Sequence, residues 1–306
     1  MWQFPHGDLV VIDMAKVGFY IIYAFLWTIA WLPLSVLYLL SDFAYLIIYR
    51  VVRYRVEVTR ANLSRSFPPK TTKELRLLER RFYRHLCDYG IETIWLLHAS
   101  AKAMSKHIIF DNIELLDEAY RQKKDVIAVF GHYGNWEWVS SLPIHTNPAV
   151  TIETLYRPLK NKDFDKFFLN LRSRWGCVCV DKNRVVRHIL QNKKSKIPFV
   201  LAFIADQTPS VNNLHYWTNF LNQDTPFLTG WEAIARKTDD YVVFLNVHRK
   251  KRGYYHCYIE LISASPAQTA EFELTEKYAR LMERNILENP AYWLWSHRRW
   301  KHQRKE

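Results

Sequence analysis

The sequence predicts an α/β protein: a mixed central sheet flanked by helices, with a membrane helix ahead of it. Three observations carry this. Strand-like apolar runs recur between residues 126 and 262, helical segments fall between them, and residues 17–40 are almost purely apolar and aromatic. Repeated strand–helix units imply a largely parallel or mixed sheet covered on both faces. The 306 residues contain no Gly/Ser/Pro-rich linker, internal repeat or low-complexity block. The expected organisation is therefore an anchor segment over residues 1–60 and one catalytic domain over 61–306.

The elements follow in order. Residues 17–40 hold Thr28 and Ser35 as their only ordinary polar side chains and exceed the ~20 residues that cross a bilayer core. No small-residue cleavage site follows, so the segment is not a signal peptide. Pro33 should kink it, which leaves open a helix that enters and then bends along the interface. Residues 42–59 have a β-branched run but continue the apolar segment, and are taken as helix. Leu75, Leu78, Phe82, Leu86, Tyr89 and Thr93 recur at spacings of three and four, predicting a long helix over 71–99, with a short amphipathic helix at 113–120. Strands are expected at 126–130, 149–154, 176–180, 198–205, 241–247 and 255–262, and helices at 136–142, 162–174, 184–191, 228–237 and 271–287. The last two strands flank Arg249-Lys250-Lys251-Arg252-Gly253, a hairpin that should form an antiparallel edge.

The net charge of +13 suits nucleic acid, an anionic membrane surface or an acidic protein. No zinc finger, RNP motif or basic helix-turn-helix pattern supports nucleic acid. Arg50, Arg53, Arg55 and Arg60 follow the apolar region and only Lys16 precedes it, so the positive-inside rule puts the rest of the chain in the cytoplasm. The same arginines would attract anionic headgroups. Gly is scarce, and dinucleotide, P-loop, serine-hydrolase and zincin signatures are missing. Cys87, Cys177, Cys179 and Cys257 lack metal-ligand spacing and read as reduced core residues.

The chemistry concentrates in Gly131-His132-Tyr133-Gly134-Asn135-Trp136-Glu137, directly after the run Val126–Phe130. A His and a Glu five positions apart diverge by roughly 140° on a helix and lie on opposite faces of a strand. They can meet only across a turn. Gly131 and Gly134 supply one, and Asn135 suits the N-cap of a helix entered at Trp136. His132 would then stand at a strand mouth with Glu137 near enough to orient its imidazole, as a general-base pair with no nucleophile of its own. A histidine after a strand is often only a loop residue. What separates this one is the strand, turn and helix start around it, where open α/β sheets place their sites.

At these residues the sequence resembles a known family. The segment G-H-x-G-N-W-E is similar to the signature of the bacterial lipid A secondary acyltransferases, a group that includes mycobacterial phosphatidylinositol mannoside acyltransferases. More distantly it resembles the H-x4-D motif of glycerolipid acyltransferases. Four more segments match in order: Asn62-Leu63-Ser64-Arg65-Ser66-Phe67-Pro68, Tyr156-Arg157-Pro158-Leu159-Lys160-Asn161, Asp206-Gln207, and Trp293-Leu294-Trp295-Ser296-His297-Arg298-Arg299-Trp300-Lys301. The resemblance implies a glycerolipid-acyltransferase-like fold and a membrane-anchored O-acyltransferase at the cytoplasmic face of a bacterial inner membrane. It would move an acyl chain from a thioester, with acyl carrier protein as donor, to a hydroxyl of a lipid A precursor. It also implies His132 and Glu137 as catalytic residues, no acyl-enzyme, and no metal or cofactor.

Other residues join this set. Arg157 follows the strand expected at 149–154 and would grip a phosphate or carboxylate; the resemblance favours that role over a surface ion pair, and brings Tyr156 with it. Asp206, after the apolar run 198–205, would anchor Arg157, contact the acceptor or cap the next loop. Asn135 and Gln207 complete the substrate-binding candidates. Tyr216, Trp217, Phe220 and Phe227 cluster in the loop expected after Asp206. The basic residues Arg298, Arg299, Lys301, Arg304 and Lys305, with Trp300, read as a tail lying on the membrane or on an acidic protein. Three alternatives stay open: another lipid acceptor (lysophospholipid, aminolipid or glycolipid mannoside), a non-catalytic lipid-binding module, and a His-dependent thioesterase.

Overall fold

The computed structural model describes residues 14–304. Its N-terminal helix is not continuous. The helix α1 (Met14–Ile29) stops where Pro33 has no amide hydrogen to give, and α2 (Leu34–Tyr45) starts beyond it. A π-helical turn, Leu46–Val51, prolongs α2, so the one described helix long and apolar enough to cross a membrane is Leu34–Val51. The helix expected over 42–59 is likewise interrupted. Arg53 and Arg55 take left-handed conformations (φ 53° and 51°), and α3 (Val56–Ser66) begins after them.

A capping box formed by Thr71 and Glu74 opens the long α4 (Thr72–Trp95). Next come α5 (Ala101–His107), β1 (Ile108–Asp111), α6 (Glu114–Arg121) and β2 (Val126–Phe130). The helix expected at 136–142 is a 3-10 helix, Trp136–Ile144, with Pro143 inside it. The chain continues through β3 (Thr151–Tyr156), α7 (Lys162–Arg172), β4 (Val178–Asp181), α8 (Val185–Ser195) and β5 (Phe199–Ile204). The aromatic stretch expected to be a loop is a hairpin of β6 (Tyr216–Phe220) and β7 (Gln223–Phe227), turned at Leu221 and Asn222 with φ of 53° and 61°. Last come α9 (Gly230–Thr238), β8 (Tyr241–Lys251), β9 (Tyr254–Ser263) and α10 (Glu273–Glu288).

The main sheet has the order β1-β9-β8-β2-β5-β3-β4 and is parallel except where β8 meets β9. The β8–β9 hairpin is therefore not the edge expected from sequence. The short strand β1 pairs with β9 in parallel and covers it. Every residue of the central strand β2 is buried. Ile127 and Val129 enter the core beneath α4 and α10, whereas Val126, Ala128 and Phe130 enter the core beneath the 3-10 helix. This period-2 alternation makes the run apolar on both faces.

The N-terminal helices dock on this body by one face each. On α2, Leu37, Ser41 and Tyr45 are buried. Tyr38 donates to Glu92 (2.7 Å) and Ser41 to Asp88 (2.7 Å), both on α4. On α1, Phe19 packs on Phe164 and Tyr23 on Phe167 of α7. The opposite face of α2 leaves Val36, Leu39, Leu40, Phe43, Leu46 and Ile47 exposed. One face docks on the body of the fold and the other is apolar and exposed.

Candidate active site

Parallel register brings the principal pair together. Phe130 of β2 is level with Ile204 of β5. His132 and Asp206 each lie two residues further on, beyond the C-terminal ends of neighbouring strands. His132 Nδ1 is 2.7 Å from Asp206 Oδ1, and the His132 backbone N–H donates to Asp206 Oδ2 (2.9 Å). A third donor, Trp293 Nε1, reaches Oδ2 at 2.8 Å. Asp206 is buried, which would raise its carboxyl pKa. Electrostatic attraction to the His132 ring and the bonds from His132 and Trp293 outweigh that and hold the carboxyl below its usual range. An ionised Asp206 requires a proton on Nδ1, so the lone pair of His132 lies on Nε2, where the Gln207 amide sits 3.1 Å away.

The Gly-flanked turn is held from both sides. Gly134 has φ of 61° and lies against the backbone oxygen of Val247. Its N–H donates to Tyr292 O (3.0 Å), while the Leu294 N–H donates to His132 O (3.1 Å), so residues 292–294 run along the turn like a partner strand. Its carbonyl accepts from His85 Nε2 (3.1 Å), and Arg249 donates to His85 Nδ1 (3.2 Å). Burial and the Arg249 charge push the His85 pKa down to about 3, so this ring is neutral. Asn135 is fully buried: its oxygen caps Trp138 N and its amide donates to Glu92 (2.7 Å).

Glu137 does start the next helix, but its carboxylate turns away from His132. It takes two bonds from Arg172 of α7, Nε to Oε2 at 2.8 Å and NH2 to Oε1 at 2.6 Å. Tyr89 donates weakly to it (3.4 Å) and stacks on Trp136, whose ring meets His132 edge-on. Burial alone would lower the Arg172 pKa; the adjacent Glu137 raises it above its ordinary value.

A cavity of about 520 Å³ opens at His132, within the usual size of ligand sites. His132, Tyr156, Arg157 and Gln207 line it at the strand ends, and Val139, Leu142, Ile152 and Ala202 further back. A smaller one of about 270 Å³ shares His132, Glu137 and Arg157 and adds Phe168 and Leu169 of α7. The arrangement offers a base, an exposed guanidinium and an apolar recess in one concavity.

The family model described as bacterial lipid A biosynthesis acyltransferase matches residues 9–302. The chain belongs to that family. No individual curated protein matches it. Membership makes it an acyltransferase acting in lipid A biosynthesis.

The expected mixed sheet flanked by helices is present, and several expected contacts differ. His132, Arg157, Tyr156 and Gln207 share the cavity. Asp206 stands behind His132 rather than against Arg157, and Asn135 is spent inside the fold. Of the basic C-terminal residues, Arg298, Lys301 and Arg304 are exposed and Lys305 lies outside the described residues, but Arg299 and Trp300 are not part of a free tail. Arg299 is buried with its guanidinium over Phe227, and Trp300 donates to Thr225 (2.7 Å). Asn62, in the first family segment, donates to the carbonyls of Trp295 and His297 (2.9 Å each), which explains why the two segments belong together. Sequence reading gave no role to Arg172, Trp293, His85 or Arg249.

Two outcomes follow from this geometry. Gly134→Ala places a Cβ against Val247 in a left-handed backbone and should cost about 1–3 kcal/mol, read as a lower Tm in detergent. Acid should destabilise the protein through His85: below about pH 6.5 the unfolded chain gains a proton that the folded ring refuses until about pH 3. Stability should therefore fall across that window. His85→Gln should flatten the slope, leaving the part due to the other histidines that burial holds low, His145, His248 and His297, the last held down to about 4. An unchanged pH–Tm slope would show that His85 is not the buried neutral group.

Proposed function

We propose that this acyltransferase moves a fatty acyl chain from acyl carrier protein to a hydroxyl of a lipid A precursor, with His132 as general base. The observation that carries the reading is the His132–Asp206 pair beside a partly apolar cavity. The acceptor hydroxyl takes the place of the Gln207 amide at Nε2 and gives up its proton as its oxygen attacks the thioester carbonyl. Asp206 fixes the tautomer and stabilises the imidazolium. The tetrahedral intermediate collapses with cleavage of the C–S bond, and the imidazolium returns the proton to the departing thiolate. No acyl-enzyme forms. Glu137 acts through Arg172 to hold the turn, a positioning role in place of direct contact with the imidazole.

Arg157, exposed on the rim after β3, binds an anionic group of a substrate. The net charge of +13 draws an acidic carrier to the surface. The exposed face of α2 and the arginines at 50, 53, 55 and 60 hold the enzyme at the cytoplasmic face of the inner membrane, where an amphiphilic acceptor presents its hydroxyl.

Asp206→Asn should lower kcat by roughly 10²–10⁴-fold, and His132→Ala should lower it at least as much. The double variant should be little worse than His132→Ala alone. Glu137→Gln, which leaves Arg172 without its anion, should cost about 3 kcal/mol of stability and less turnover than Asp206→Asn. The reverse order, with Glu137→Gln the more damaging to kcat in folded enzyme, would return the orienting role to Glu137.

Arg157 is checked by acceptor kinetics. Arg157→Lys keeps the charge and loses the planar fork, so KM for a phosphorylated acceptor should rise several-fold, and more for Arg157→Ala. Unchanged kinetics in Arg157→Ala would remove this residue from the site.

A further inference from the structure

A second cavity, about 650 Å³, lies on the far side of the turn, between α2, α4 and the β8–β9 hairpin. Its cations outnumber its anions. Arg249 donates to Asp88 (2.8 Å), and Arg252 donates to Asp42 (2.7 Å) and Asp88 (2.6 Å). Those two arginines engage both carboxylates in the wall, and His85 is neutral. Arg81, Arg84 and Lys251 also line the cavity, all exposed, and among the described residues none of them meets a carboxylate. Arg84 lies over the Tyr45 ring (5.3 Å) and Lys251 over Tyr254 (4.2 Å), contacts that leave N–H donors for a ligand. Three uncompensated cations converge on one concavity.

Its position says what kind of anion fits. Tyr45 and Leu46 form part of the wall, and Leu46 also belongs to the exposed apolar face of α2. A ligand seated here has its charge among arginines and its remainder against Phe43, Leu46 and Ile47. We propose that this cavity binds the phosphate ester of an anionic lipid whose acyl chains lie along α2. The site is separate from the His132 cavity, and the two are joined through Arg249, His85 and the Gly134 carbonyl. The inference rests on the membrane reading of the N-terminal helices, not on the chemistry assigned to His132. Two lipids carry this chemistry, a bilayer phospholipid and the phosphorylated acceptor itself. The exposed apolar ridge of Phe43, Leu46 and Ile47 beside these cations favours a lipid over an acidic protein helix, which would supply charge and leave that ridge uncovered.

The test uses the full chain with the double variant Arg81→Gln/Arg84→Gln, both positions being exposed on α4. Partitioning is measured onto phosphatidylcholine vesicles with and without phosphatidylglycerol. Removing two cations should weaken binding to the anionic vesicles by roughly 30-fold and leave binding to the neutral ones unchanged. Arg187→Gln/Lys194→Gln on α8, beside the opposite edge of the sheet, removes the same charge and should have little effect. A rise in KM for phosphorylated acceptor in neutral detergent identifies the acceptor as the source; an unchanged KM identifies the bilayer lipid. The proposal is overturned by wild-type binding in the Arg81/Arg84 variant, by equal loss in the α8 control, or by a defect confined to the carrier protein. Failure of the wild-type chain to bind any vesicle would instead overturn the membrane reading, and this inference with it.

Discussion

A buried negative charge organises this molecule. Asp206 sits beneath the surface at the end of β5, where an unpaired carboxylate would cost several kcal/mol. Three donors compensate it: the ring and backbone of His132 and the indole of Trp293. They come from two distant parts of the chain, so satisfying one carboxylate fixes the strand end, the turn after β2 and the segment at 292–294 together. The imidazole is oriented as a by-product of solving a solvation problem.

The same logic recurs around the turn. Glu92 on α4 collects Tyr38 of α2, Asn135 of the turn and Tyr255 of β9 (2.7, 2.7 and 2.8 Å), tying the N-terminal helix to the sheet through one side chain. Glu137 binds the turn to α7 through Arg172. Such pairs add little net stability compared with apolar packing, but removal of one partner strands a buried charge. Their effect is to hold the turn, and His132 with it, in one conformation.

The parts of the fold legible in the sequence were those written in local periodicity. The run at β2 is apolar on both faces because it lies mid-sheet, and α4 shows its three- and four-residue spacing plainly. The turn carrying His132 could be read from Gly131 and Gly134. The partner of His132 could not, because its proximity depends on β2 and β5 being neighbours, and no local pattern encodes strand order. The Glu137–Arg172 pair spans 35 positions and joins two elements that meet only once the fold has packed them in one core cluster. The β6–β7 hairpin escaped notice for a local reason: Pro226 within β7 argues against a strand, and only an edge position tolerates it. The break in the N-terminal helix was foreshadowed by Pro33, whereas the left-handed residues Arg53 and Arg55 bear no mark in their side chains.

The contact between Asn62 and the carbonyls of Trp295 and His297 spans more than 230 positions. It has a consequence for how the enzyme comes into being. During synthesis α2 and α3 are made well before the segment that carries Trp293 and Trp295. The His132–Asp206 pair is not braced until Trp293 has emerged to meet Asp206, and Arg299 and Trp300 reach β7 later still. The geometry around His132 is thus complete only once the last residues of the described chain are in place: a chain ending before Trp293 would keep every strand of the main sheet and still lose a donor to Asp206.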